Sequence, residues 1–157
     1  MFQKSVTAVR WLLGLQYLMS GINWWYKILP FPSIHDRLVW PGKHQIVAAM
    51  IATGWMFDMS KAVEVITGLA LVFNRFVPLM LVVSMAIAVN TYFLDAFIGD
   101  AITGWFKGTV STKVFVAYVL DLIYWGGAVL TMQIFLCLAY LQNYRPMLAA
   151  RAEPRMP

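Results

Sequence analysis

A chain of 157 residues that is 61% hydrophobic and only 12% charged, with a mean hydropathy of +0.70, cannot cover a water-exposed surface, since soluble domains carry about 25% charged residues. Several apolar runs of about 20 residues place it among α-helical membrane proteins, and the lack of strand-like alternation excludes a barrel. The net charge of +5 is scattered over the ends of apolar runs, where it suits lipid headgroups and the positive-inside rule rather than nucleic acid.

The expectation is one domain over residues 1–157, an all-α integral membrane four-helix bundle. Its spans fall at about residues 6–25, 59–73, 76–94 and 114–141, and a tail covers 142–157. Lys4 and Arg10 precede the apolar run 11–19 with the polarity of a signal peptide. No A-x-A-like site follows and the apolar character continues to Trp25, so a retained first span is expected. Gly14 and Gly21 lie on one face of it, where small residues let a neighbouring helix approach. Trp24, Trp25 and Tyr26 read as an interfacial belt from which Lys27 snorkels, and Pro30 and Pro32 end the helix.

Residues 29–44 read as a surface loop, whose His35 and His44 are too sparse for a metal site. The run 45–57 (QIVAAMIATGWMF) is apolar but too short to cross, which suggests an interfacial or re-entrant helix. Asp58, Ser60 and Lys61 look like the entrance to span two, with Ser60 as N-cap. Asn74 and Arg75 make a tight turn, and Pro78 suits the first turn of span three. That span carries Ser84, Asn90 and Thr91, with Asn90 expected to hydrogen-bond between helices. Residues 95–113, with Gly99, Gly104 and Gly108, read as a surface loop, and span four carries Asp121, Gly126, Gly127 and Gln133.

Four crossings put both termini on one side, together with Lys4, Arg10, Arg75, Arg145, Arg151 and Arg155. The other side holds Lys27, Arg37, Lys43, Lys61, Lys107 and Lys113, diluted by Asp36, Asp58, Asp95 and Asp100. Both termini are therefore expected in the cytoplasm.

Arg10, Glu64 and Asp121 interrupt apolar segments, at about 2.5–3.5 kcal/mol each near a helix centre, so a bundle that keeps them pairs them or uses them. Glu64 has two readings. It satisfies the helix start or pairs with Lys61, or it is an internal carboxyl whose burial makes it a proton donor. Asp121 has Tyr118 and Tyr124 at i−3 and i+3 and Trp125 at i+4, an acid beside three rings on one helix face. That slot suits a flat, polar-edged ligand such as a quinone head; the alternative is an ion pair with Arg10 or Lys27. Arg10, near the N-terminus, is otherwise read as snorkelling. The single cysteine, Cys137, forms no intrachain disulfide. No nucleophile–base set, phosphate loop or CxxC pair is present, so electron chemistry would need a bound cofactor or partner.

RWLLGLQYLMSGINWWYK, with Arg10, Gly14, Gly21 and Lys27, resembles the first helix of the DoxX family of small four-helix membrane proteins. KAVEVITGLALVFNRFVPLML, with Glu64, Gly68 and Arg75, resembles its second-helix motif and arginine turn. The resemblance covers residues 10–94, and beyond them only the fourth span fits; the long 95–113 segment departs from it. It implies a four-helix bundle in the bacterial inner membrane, associated with redox membranes, because the family's namesake is a subunit of a thiosulfate:quinone oxidoreductase. Related proteins act in electron-donor maturation, as assembly factors or as cargo receptors, so membership fixes no single reaction. Arg10, Lys27, Glu64 and Arg75 are the matched polar positions. The leading expectation is an accessory subunit of a larger quinone-linked or photosynthetic-type complex. Its partners would be lipids and other membrane subunits, with quinone or lipid as the bound molecule. The alternatives are a quinone-interacting oxidoreductase subunit with Glu64 or Asp121 as proton donor, and a small-solute or proton pathway.

Overall fold

The fold is seen in a computed structural model that describes residues 2–28, 41–96 and 98–144, in which every regular element is helical. In chain order these are α1 (Phe2–Tyr26), α2 (Pro41–Ala52), α3 (Met56–Val72), α4 (Val77–Ala96), α5 (Gly99–Phe106) and α6 (Thr112–Leu120). A π-helical segment (Asp121–Gly127), α7 (Ala128–Ala139) and the single turn α8 (Leu141–Tyr144) follow. The expectations placed on 29–40 and on the basic tail beyond 144 lie outside the described residues.

Among the described residues, two stretches are long and apolar enough to cross a membrane, Val77–Phe106 and Thr112–Ala139. A third results if Gln45–Ala52 and Met56–Val72, bent by 95° at a short break, count as one span. Helix α1 is long enough at 25 residues, but Arg10, Gln16 and Asn23 break its apolar character, and it is not among these stretches.

Helices α1 and α3 make the most extensive contact, and glycine is the reason. A Cβ on Gly68 would stand 2.8 Å from the Gly14 carbonyl oxygen, and one on Gly21 would stand 2.9 Å from that of Lys61. Gly14 therefore faces Leu71 while Gly21 faces Lys61 and Val65, which fixes the two helices as antiparallel. The seam expected from Gly14 and Gly21 is present, and Gly68 completes it from the other side.

The turn from α3 to α4 satisfies the last carbonyls of α3 locally. Asn74 takes the left-handed conformation (φ 55°), and Arg75 N–H donates to the Ala70 carbonyl at 2.9 Å. Helix α4 packs on α3, on the π segment and on α7, and α7 returns to α1. Each of these four helices contributes one fully buried leucine to the core: Leu13, Leu71, Leu81 and Leu136. At the same end, the Tyr144 hydroxyl donates to the Pro78 carbonyl at 2.9 Å, and burial pushes its pKa above the ordinary phenol range.

Several sequence expectations change. Helix α2 already begins at Pro41, so residues 41–44 of the loop expected over 29–44 are helical. Helix α3 starts at Met56, which puts Ser60 inside it; Trp55 occupies the N-cap without a side-chain bond, and the Thr53 hydroxyl accepts from Met56 N–H at 3.0 Å instead. The expected 95–113 loop contains α5. That helix ends at Gly108 (φ 72°), where Thr109 N–H donates to the Gly104 carbonyl at 2.9 Å. Ser111 then caps α6 by accepting from Val114 N–H. Asn90 is exposed and makes no interhelical bond among the described residues.

Candidate functional site: a polar layer, an ion pair and a π segment

One turn from each core leucine sits a buried polar residue: Tyr17 after Leu13, Thr67 before Leu71, Ser84 after Leu81, Gln133 before Leu136. Because neighbouring helices are antiparallel, these steps of three or four residues run the same way in space and stack a polar layer on the leucine layer. Gln133, fully buried, joins three helices. It accepts from the Tyr17 hydroxyl of α1, and its Nε2 donates to Ser84 Oγ at 2.9 Å and to the Leu81 carbonyl of α4 at 2.8 Å. Ser84 in turn donates to the Met80 carbonyl at 2.7 Å. Such bonds between membrane helices contribute about 0.6–2 kcal/mol each.

A second cluster lies further along the α1–α3 seam. The Lys61 ammonium reaches both Glu64 carboxylate oxygens at 2.9 Å and Ser20 Oγ at 3.0 Å, and stands 5.3 Å from the centre of the Phe57 ring. The two charged side chains are only 12% and 7% exposed. The Trp24 indole caps the cluster, donating to Asp58 at 2.7 Å and packing edge-on against Phe57. Of the two readings of Glu64, the geometry fits the pair with Lys61.

The π segment begins at Asp121 and redraws the expected aromatic face. In a π turn the bonds run from i to i+5, so residues at i+3 and i+4 rotate away from the position they hold over an α-helical residue. Tyr118, on the preceding α turn, is buried, but Tyr124 is 51% exposed. It is therefore Gly126, not Tyr124, that is buried against α4, where a Cβ would stand 3.1 Å from Asp95 and 3.2 Å from the Tyr92 backbone. Of the three rings expected beside Asp121, Tyr118 is thus buried and Tyr124 is turned to the surface. Trp125 packs edge-on against Tyr124, with ring centres 5.1 Å apart. A ladder that returns from five-residue to four-residue spacing leaves a carbonyl over, and the Tyr124 carbonyl accepts from Gln16 Nε2 of α1 at 2.9 Å.

The matched polar positions of the sequence do not converge. Arg10 is buried near the leucine layer; its Nε has no hydrogen-bond partner, and it pairs with neither Glu64 nor Asp121 among the described residues. Lys27 is exposed just beyond α1, and Arg75 is exposed in the α3–α4 turn at the opposite end. Sequence reasoning missed the Tyr17–Gln133–Ser84 network and the burial of Asp95, which it placed in a surface loop. The one-turn offset of a polar residue from a leucine in each helix was the available signal for the first. Among the described residues, no group of His, Cys, Asp and Glu could hold a metal ion. Comparison of the chain with protein-family models, curated proteins and solved structures finds no match.

Proposed function

We propose that the chain is a four-helix integral membrane protein of the bacterial inner membrane, DoxX-like, that serves as an accessory subunit of a larger quinone-linked redox assembly. The observation that carries this reading is how little of its most apolar surface the chain buries itself. In each of the two stretches long enough to cross, only 22% of the most apolar window is buried. Val116, Leu120, Ile123 and Tyr124 run as an exposed stripe along α6 and the π segment, a surface fit for lipid or for partner helices. Inside, by contrast, Lys61 holds Glu64 and Gln133 holds Tyr17 and Ser84, so these polar groups serve the chain's own cohesion. With α3 crossing the bilayer, the 95° bend lays α2 along the surface, which favours the interfacial over the re-entrant reading.

Purification in a gentle detergent tests this reading. Comigration with a large, quinone-containing complex is expected, and a stable lone monomer at native expression level argues against it. A second reading, a quinone bound at Asp121, is favoured by the π segment that starts there, since such segments recur at functional sites. Asp121→Asn would then abolish quinone-linked activity with folding intact, and unchanged activity would remove this reading.

A further inference from the structure

We infer that Arg10 is the receptor for the phosphate of an anionic phospholipid, seated between the first turns of α1 and the end of α7. The inference rests on the membrane reading above. Arg10 is 9% exposed, its Nε has no partner, and no carboxylate lies within ion-pair distance among the described residues. A guanidinium does not deprotonate, so a buried one requires an anion.

Among the described residues, none supplies that anion nearby. The described acids gather toward the other end of the bundle. Glu64 and Asp58 bond to the cluster around Ser20 and Trp24, Asp95 packs on Gly126, Asp100 lies in α5, and Asp121 opens the π segment. At Arg10's end the charged described residues are Lys4, Arg10 and Arg75. That end is defined by the Phe2–Phe135 ring contact, the α3–α4 turn and the Tyr144–Pro78 bond.

A place for the ligand lies one turn nearer the start of α1, at Val6. An open groove of about 490 Å³ is lined by Phe2, Gln3, Val6, Ala139 and Tyr140. Val6 and Gln3 precede Arg10 by four and seven residues and so share its helix face, and helical side chains lean toward the N-terminus, toward this groove. Apolar walls with Gln3 and Tyr140 suit the junction of acyl chain and headgroup, while the planar guanidinium matches two phosphate oxygens.

The test uses the full chain in a neutral detergent and reads thermal unfolding and lipids retained in native mass spectrometry. Phosphatidylglycerol is expected to raise the unfolding temperature by several degrees and to be retained over phosphatidylcholine, with no shift from inorganic phosphate. Arg10→Gln is expected to lose the preference, while Lys4→Gln and Glu153→Gln keep it. Equal response to both lipids overturns the proposal. So does a preference that survives in folded Arg10→Gln, or one that appears only in Glu153→Gln, which would make the tail carboxylate the partner. A shift given by inorganic phosphate alone overturns the lipid as source. Should Arg10→Gln not fold, Val6→Trp, which fills the groove, decides: loss of phosphatidylglycerol supports the site and undiminished retention overturns it. Failure of the redox-assembly reading would appear as a lone monomer with the lipid preference intact.

Discussion

Gly68→Ala tests the α1–α3 seam at its tightest point. The added methyl would stand 2.7 Å from Leu18 Cγ, 2.8 Å from the Gly14 carbonyl oxygen and 2.9 Å from Leu18 N, where ordinary contact begins near 3.4 Å. The leucine side chain can rotate away, but the two backbone atoms cannot, so α1 and α3 must separate by about half an ångström along this stretch. Overpacking of this kind costs about 1–3 kcal/mol. The upper part of that range is expected, because the same separation strains the Lys61–Ser20 bond that crosses the seam. The assay is equilibrium unfolding in mild detergent beside Gly99→Ala, whose methyl meets nothing within 4 Å. Gly68→Ala should unfold well below the parent and Gly99→Ala close to it. Equal stability of all three proteins would refute the claim that glycine sets this helix spacing.

Three further outcomes follow from the same geometry. Glu64→Gln leaves Lys61 without its counter-charge at a site where both side chains are nearly covered, and should cost about 3–5 kcal/mol. In the same unfolding assay, Lys61→Met combined with Glu64→Leu should recover most of that loss. A double-mutant cycle between Tyr17→Phe and Gln133→Leu should give a coupling of about 1 kcal/mol, as for buried hydrogen bonds between membrane helices. Gln16→Leu leaves the Tyr124 carbonyl without its side-chain donor and should destabilise by about 1 kcal/mol. Hydrogen exchange localised to residues 121–127 would show whether the π segment is where protection falls.

The parts of the fold that depend on composition along one helix were legible. Apolar length placed the helices to within a few residues, and Gly14 and Gly21 announced the seam because close approach leaves few alternatives to glycine. Glu64 was half legible. The i, i+3 spacing allowed the Lys61 pair, but only the neighbouring Ser20 of α1 shows that the pair lies within the seam. The π segment was hidden because nothing in DLIYWGG distinguishes five-residue from four-residue bonding. One extra residue per turn was enough to turn Tyr124 outward and bring Gly126 onto α4. Helix α5 was hidden by its glycines, of which Gly108 ends the helix and Gly104 lies within it, packed against Val110. Asp95 was misplaced with it. Around Gln133 the only sign was its one-turn offset from Leu136; which helices it would join was hidden, since its partners lie 116, 52 and 49 residues away.

Single-cysteine labelling in sealed vesicles, with Cys137 replaced by alanine, tests most directly whether four helices cross the bilayer. Cysteines at Lys4, Arg75 and Asn143 should react with an impermeant reagent from one side, and cysteines at Lys27 and Lys107 from the other. Reaction of Lys4 and Lys27 positions from the same side would mean that α1 does not cross, and would contradict the four-helix membrane architecture on which the proposed role depends.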